Sequence, residues 1–173
     1  MRQLLTLIRT EQTGAAAAEM ALVAPMLITL MFGSFELGNY FLSEHALAKA
    51  VRDGARYATR IPVTNYSCPS GAASGSITGG ETEIKNVTRT GSIDASASPR
   101  LSYWTSNTNT VFVTVKCVSP STYTGIYSSG MPGDIPVVTV RAAVNYPSLF
   151  ARVGLANTSL SLNAESEAAV VGI

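Results

Sequence analysis

The residues able to do chemistry are few and far apart. There are two cysteines, Cys68 and Cys117, and one histidine, His45. No CxxC or His-rich cluster accompanies the cysteines, so a metal site is not expected. The pair reads instead as a disulfide closing a loop of roughly fifty residues, which by chain entropy would contribute about 4 kcal/mol. Two buried, unpaired thiols are the alternative. A Ser–His–Asp arrangement would have to recruit His45, which falls just after a long apolar run. GxSxG, P-loop and HExxH motifs are all missing. Glu165 and Glu167 lie two apart in a strand-like pattern, which suits a solvated face better than a glycosidase pair. The expectation is a protein that is no enzyme, holds no cofactor and no metal, and takes no small-molecule substrate.

Two other acids stand out by where they are. "GAAAAEMALVAPMLITLMFGSFELGNYF", Gly14 to Phe41, carries Glu19 and Glu36 near the ends of its most apolar part. From Ala15 to Phe35 the single ionisable side chain is Glu19. Those residues would span about 30 Å as a helix, the thickness of a bilayer's hydrocarbon core. A secretory signal peptide would have a shorter apolar core, with its small residues after it. Here the small residues, Gly14 and Ala15 to Ala18, come first. Pro25 lies inside the run and is expected to kink the helix by leaving the Ala21 carbonyl without its usual donor. Glu19 and Glu36 are separated by about 25 Å of helix, so both can sit near opposite membrane interfaces.

This stretch, followed by "ALAKAVRDGARYATR", resembles the N-terminus of TadE-type minor pilins, or pseudopilins, of Tad (Flp) pilus systems, relatives of the type IV pilins. The resemblance is strong from about Thr13 to Arg60 and loose beyond. It implies a leader of residues 1–14, cut by a prepilin peptidase between Gly14 and Ala15, with Glu19 as fifth residue of the mature chain. Pro25 and the segment Phe32, Gly33, Glu36, Gly38 match further habits of the family. Met20 stands where such sites often carry an aromatic residue. The implied partners are the peptidase, other pilins or pseudopilins, inner-membrane pilus assembly proteins and membrane lipid. The implied place is the bacterial inner membrane, crossed once, with the C-terminal domain periplasmic or, in the pilus, extracellular. A type II secretion pseudopilin and a tethered periplasmic adhesive or binding domain that never polymerises are the rivals.

The physical chemistry suits such a role. Cleavage would create an α-amine at Ala15 with an ordinary pKa of about 8. A carboxylate one helical turn away, or on a neighbouring subunit, can neutralise it where water is scarce. Glu19 would also face the positive end of the helix dipole. A group otherwise costly to bury then marks the register of helices packed side by side. Glu36 is a second candidate for charge pairing.

Helical periodicity continues past Leu42. Leu47, Ala50, Val51, Gly54 and Ala58 make a narrow apolar stripe, so one helix is expected over residues 15–61, with about 15–42 in the membrane. Lys49, Arg52, Asp53, Arg56 and Arg60 lie mostly opposite. Arg52, Arg56 and Arg60 form a basic ridge, either a solvated face or a contact for lipid phosphates or acidic groups of another subunit. Charge counting alone would place the C-terminal domain in the cytoplasm, because four cations follow the apolar run and only Arg2 and Arg9 precede it. The Ser-, Thr- and Asn-rich composition beyond Ile61 and the cysteines favour the other side. A net charge of +1 with 13% charged residues argues against a nucleic-acid partner.

Residues 62–173 are expected to form a β-rich domain, giving a pilin-like α+β fold in which the long helix packs on a small, mainly antiparallel sheet. Strands are expected at "TVFVTVKCV", with Val111, Val113, Val115 and Cys117 inward, at "DIPVVTVRAAVNY", with Val138, Val140, Ala142 and Val144 opposed to Thr139, Arg141 and Asn145, and at "TSLSLNAESEAAV", with Leu160, Leu162 and Ala164 inward. A shorter strand is expected at "RLSYW", a short helix at "ETEIKNVTRT" and a helical turn at "PSLFARVG". "CPSGAASGSITGG" reads as a flexible loop, and "SPSTYTGIYSSGMPGD", with Tyr123, Tyr127 and Met131, as a loop able to form a contact surface.

Overall fold

The computed structural model describes residues 12–106, 108–119, 134–152 and 160–171. Most of the expected leader, residues 1–14, and the contact loop expected around Tyr123, Tyr127 and Met131 therefore lie outside the described residues. Helix α1 is Gln12–Ala58, and it contains Pro25. The chain divides into two units, one ending at Asn39 and one beginning at Tyr40.

The first unit is the N-terminal part of α1. Alanines, leucines and methionines favour helix here, and nearly every side chain from Gly14 to Asn39 is exposed. The exposed set includes Leu22, Met26, Leu30, Phe32 and Phe35. An apolar surface on all sides is what a helix needs in lipid, not in water. The helix is long and apolar enough to cross a membrane.

The second unit is α+β. After α1 come β1 (Tyr66–Ser67), β2 (Ser74–Ile77), α2 (Glu81–Thr90), β3 (Val111–Val118), β4 (Ile135–Tyr146), α3 (Leu149–Arg152) and β5 (Leu160–Ala169). The five strands form one sheet in the order β1-β2-β3-β4-β5, antiparallel throughout. α1 stops at Ala58. Its last bonds tighten, with the Arg60 and Ile61 amides reaching back three residues to Tyr57 and Ala58. Pro62 then cannot donate to continue it.

The stripe expected from periodicity is the buried face. Leu47, Ala50, Val51 and Ala58 join Ile84, Trp104, Val111, Val138, Val140, Ala142 and Leu162 in one core. Trp104 is fully enclosed, and its indole N–H donates to Thr110 Oγ1 at 2.8 Å. α2 runs between Gly80 and Gly91, with Glu81 and Glu83 in its first turn, where the helix dipole favours acids. It buries Ile84, Val87 and Thr88, the i, i+3, i+4 set.

Several expectations need correction. Residues 100–104 form turns, not a strand. Leu101 and Trp104 are buried there as core anchors, and burial without alternation produced the false signal. "CPSGAASGSITGG" is not all loop, since it contains β2. Small residues hid that strand, because Ile77 is its one large apolar side chain and no alternation marks it. Thr139 is buried rather than solvated, while Leu160 is exposed. Asp53 does not belong with the solvated cations, because Arg100 Nη2 donates to its Oδ2 at 2.6 Å.

Candidate functional site

Gly14 and Ala15 lie in the first turns of α1 and are exposed, and nothing stands within 4 Å of where a Gly14 Cβ would be. Glu19 is exposed one turn further along the same helix. Glu36 is half-buried, with Oε1 shielded from solvent. At 17 positions apart, the two acids stand about 25 Å apart along the axis, so they form two stations rather than one site. Pro25 is exposed, and the Thr29 hydroxyl donates to its carbonyl at 2.8 Å. That bond turns a polar group inward onto the helix, as hydroxyls do where water is scarce.

Beyond the apolar run the helix changes character. Lys49, Arg52 and Arg56 are exposed on α1, and Arg60 is exposed two residues past its end. Among the described residues none of these cations is held in an ion pair. His45 is exposed on the same helix. Among the described residues no group of three or more His, Cys, Asp or Glu is gathered as a metal site would require.

In the second unit Cys68 and Cys117 are joined as a disulfide, with their Cα atoms 5.5 Å apart. Cys68 follows β1 and Cys117 lies in β3, so the bond passes over β2, which runs between those strands. Gly75 makes room for it. A Cβ there would stand 2.8 Å from Cys117 Sγ, 2.9 Å from Cys68 Sγ and 2.6 Å from the Ser67 carbonyl.

The sheet's outer face carries Phe112, Thr114, Lys116, Arg141, Ala143 and Glu165 along an open groove of about 450 Å³. Glu167 accepts from Lys116 Nζ at 2.5 Å and from Thr139 Oγ1 at 3.0 Å. Each partner shifts the other in the usual sense. Lys116 holds the Glu167 carboxyl below the usual carboxylate range, and Glu167 pushes the Lys116 ammonium up. Glu165 and Glu167 are both exposed, as a solvated face requires.

Sequence reasoning missed two features of the helix's attachment. One is the Asp53–Arg100 pair, which joins residues 47 apart and carries no local signal. The other is the role of Gly54. A Cβ there would collide with Thr88 Oγ1 and stand 3.5 Å from Val140 Cγ1. A glycine inside an apolar helical stripe was the available clue.

The N-terminal part of α1 presents apolar surface with Glu19 exposed on it, and the C-terminal part of α1 is built into the sheet domain's core. No curated protein and no solved structure matches the chain. Residues 14–56 match the family model described as TadE-like protein. That segment, nearly all of the long helix, is what the chain shares with the TadE-like family.

Proposed function

We propose that the protein is a minor pilin or pseudopilin working in the biogenesis of a Tad-type pilus. It is made as a precursor, held in the inner membrane by α1 with its sheet domain on the periplasmic side, and trimmed by a prepilin peptidase between Gly14 and Ala15. It then joins other pilins through its helix. Its work is assembly by packing, not catalysis, and its partners are proteins and lipid rather than nucleic acid or a small molecule.

The observation that carries this reading is the exposure of the whole apolar run with a lone carboxylate one turn after a glycine. Such a surface is stable only against lipid or against other apolar helices. A lone Glu in it is costly unless a cation meets it. Cleavage after Gly14 supplies that cation as a new α-amine, on the same chain or on a neighbour. The match to the TadE-like family over residues 14–56 supports the same reading.

Two variants test it. Gly14→Leu should leave the precursor uncut, as mass spectrometry of the membrane-extracted protein would show. Glu19→Ala should still be cut but should lose crosslinking to partner helices. A Gly14→Leu chain that still begins at Ala15 would remove the peptidase from the proposal, and unchanged crosslinking of Glu19→Ala would remove the charge pairing.

A further inference from the structure

We infer that β5 is the edge by which two copies of the chain pair, strand against strand about a two-fold axis centred on Ala164, so that one sheet runs through both. The contact lies wholly within the sheet domain and does not rest on the pilus role proposed above. β5 is the last strand of the sheet. It pairs with β4 from Tyr146↔Leu160 to Val137↔Ala169 without interruption. Just beyond, the Val170 amide donates to the Pro136 carbonyl, continuing that ladder. An antiparallel ladder alternates. The even-numbered residues of β5 therefore turn their backbone groups to β4, and the odd-numbered ones turn theirs outward. Val171, next in the outward series, donates its amide to the Thr59 carbonyl, so the free edge ends at Ala169. Ser161, Asn163, Glu165, Glu167 and Ala169 present their N–H and C=O groups along it, and among the described residues no backbone partner meets them.

Edge strands commonly carry Lys, Pro or a bulge that keeps another chain from adding to them. β5, "LSLNAESEAA", has no Lys and no Pro, and its unbroken register with β4 leaves no bulge. Its charges are Glu165 and Glu167, both exposed. They do not forbid a second copy; they select the register. Centring the pair on Glu165 sets that acid against itself, and centring it on Ser166 sets Glu165 against Glu167. Like charges directly opposite disfavour both. Centring on Ala164 sets Glu165 against Asn163, and Glu167 against Ser161, of the second copy. Each carboxylate then meets a side chain able to donate. Centring on Asn163 avoids the clash too, but it pairs only Leu160 to Ser166, whereas centring on Ala164 pairs Leu160 to Ala168.

The same register suits the remaining side chains. Ala164 stands opposite its own copy, Leu162 opposite Ser166, and Leu160 opposite Ala168. Leu160 is 43% exposed, and Ala168 of the second copy would cover it. Small residues along the edge let the two backbones reach the ordinary strand spacing of about 4.8 Å. β5 is thus complementary to itself, with donors facing acids and a small residue facing a large one. That complementarity decides for a second copy over an unrelated strand.

The test uses the full chain, in intact membranes and in detergent micelles. In Ala164→Cys the new thiol stands opposite its copy, where the Cα atoms of such a pair are about 4.5 Å apart, within reach of a disulfide. Mild oxidation should give a dimer joined through position 164, identified by mass spectrometry of the linked peptide. Ile93→Cys, at an exposed site outside β5, should give none. Asn163→Glu sets an acid opposite Glu165 twice per dimer and should weaken dimerisation about tenfold, read by sedimentation equilibrium in density-matched detergent. Asn163→Lys should tighten it, and adding Glu165→Lys to Asn163→Glu should restore it. Dimers that sediment with no link at position 164 would place the contact elsewhere and overturn the proposal. A link at 164 to a different protein in intact membranes would overturn the second copy as occupant. Both Asn163 variants shifting the equilibrium in the same direction would overturn the register. Asn163 is exposed, so its variants spare the core and remain decisive if Ala164→Cys misfolds.

Discussion

Gly54 fixes how closely the long helix approaches the rest of its domain. α1 crosses α2 and β4 at a point where no Cβ fits beside Thr88 and Val140. Gly54→Ala is expected to cost about 1–3 kcal/mol of stability, because overpacking must push one element away. Adding Thr88→Ala should recover part of that loss, and a double-mutant cycle in urea would show the coupling. Tyr66 is a second point of attachment. Its hydroxyl donates to the Ala58 carbonyl at 2.8 Å, at the end of α1. Burial, with a smaller effect of Tyr57, pushes its pKa from 10.0 up to about 12. The folded state therefore favours the neutral phenol. Its contribution is fully present below pH 10.0 and is lost as pH rises toward about 12. Tyr66→Phe should lower stability by about 1 kcal/mol at neutral pH. It should also lose less stability than the unchanged protein over that alkaline window, as denaturant titrations at several pH values would show.

At the scale of elements, the disulfide ties the residue after β1 to β3 across β2, a strand of mostly small residues. Its cysteines are 49 residues apart. Removing it by Cys68→Ser with Cys117→Ser should therefore lower stability by about 4 kcal/mol, measured against the oxidised protein in guanidinium chloride. Hydrogen exchange should rise first in β1 and β2. These same elements show what could be read from the sequence. β3, β4 and the stripe of α1 were legible because their apolar residues alternate or recur with the period of their own backbone. α2 was expected at "ETEIKNVTRT", after Gly79 and Gly80, and it runs there from Glu81 to Thr90. β2 was not, because "SGSI" has one large apolar side chain and no alternation to mark it. The strand expected at "RLSYW" was wrong because Leu101 and Trp104 are buried from a turn, and a short apolar run does not reveal its backbone shape. Arg100 reached Asp53 without any local trace. The stations on α1 were legible as residue types, since small residues before an apolar run and a lone Glu within it are sequence facts. Their separation follows from helical rise alone.

At the scale of the whole molecule, the chain carries an exposed apolar helical segment and a sheet domain whose core includes Leu47, Ala50, Val51 and Ala58 of the same helix. The disulfide suits an oxidising compartment, and the exposed run suits lipid or other helices. The central claim is that proteolysis frees the tip of this helix and leaves Glu19 to meet the new amine. The most direct measurement is the N-terminal sequence of the protein recovered from membranes of the cells that make it, by mass spectrometry of its first peptide. The expected result is a chain that begins at Ala15. A functional protein that still carries Met1 through Thr13 would contradict it.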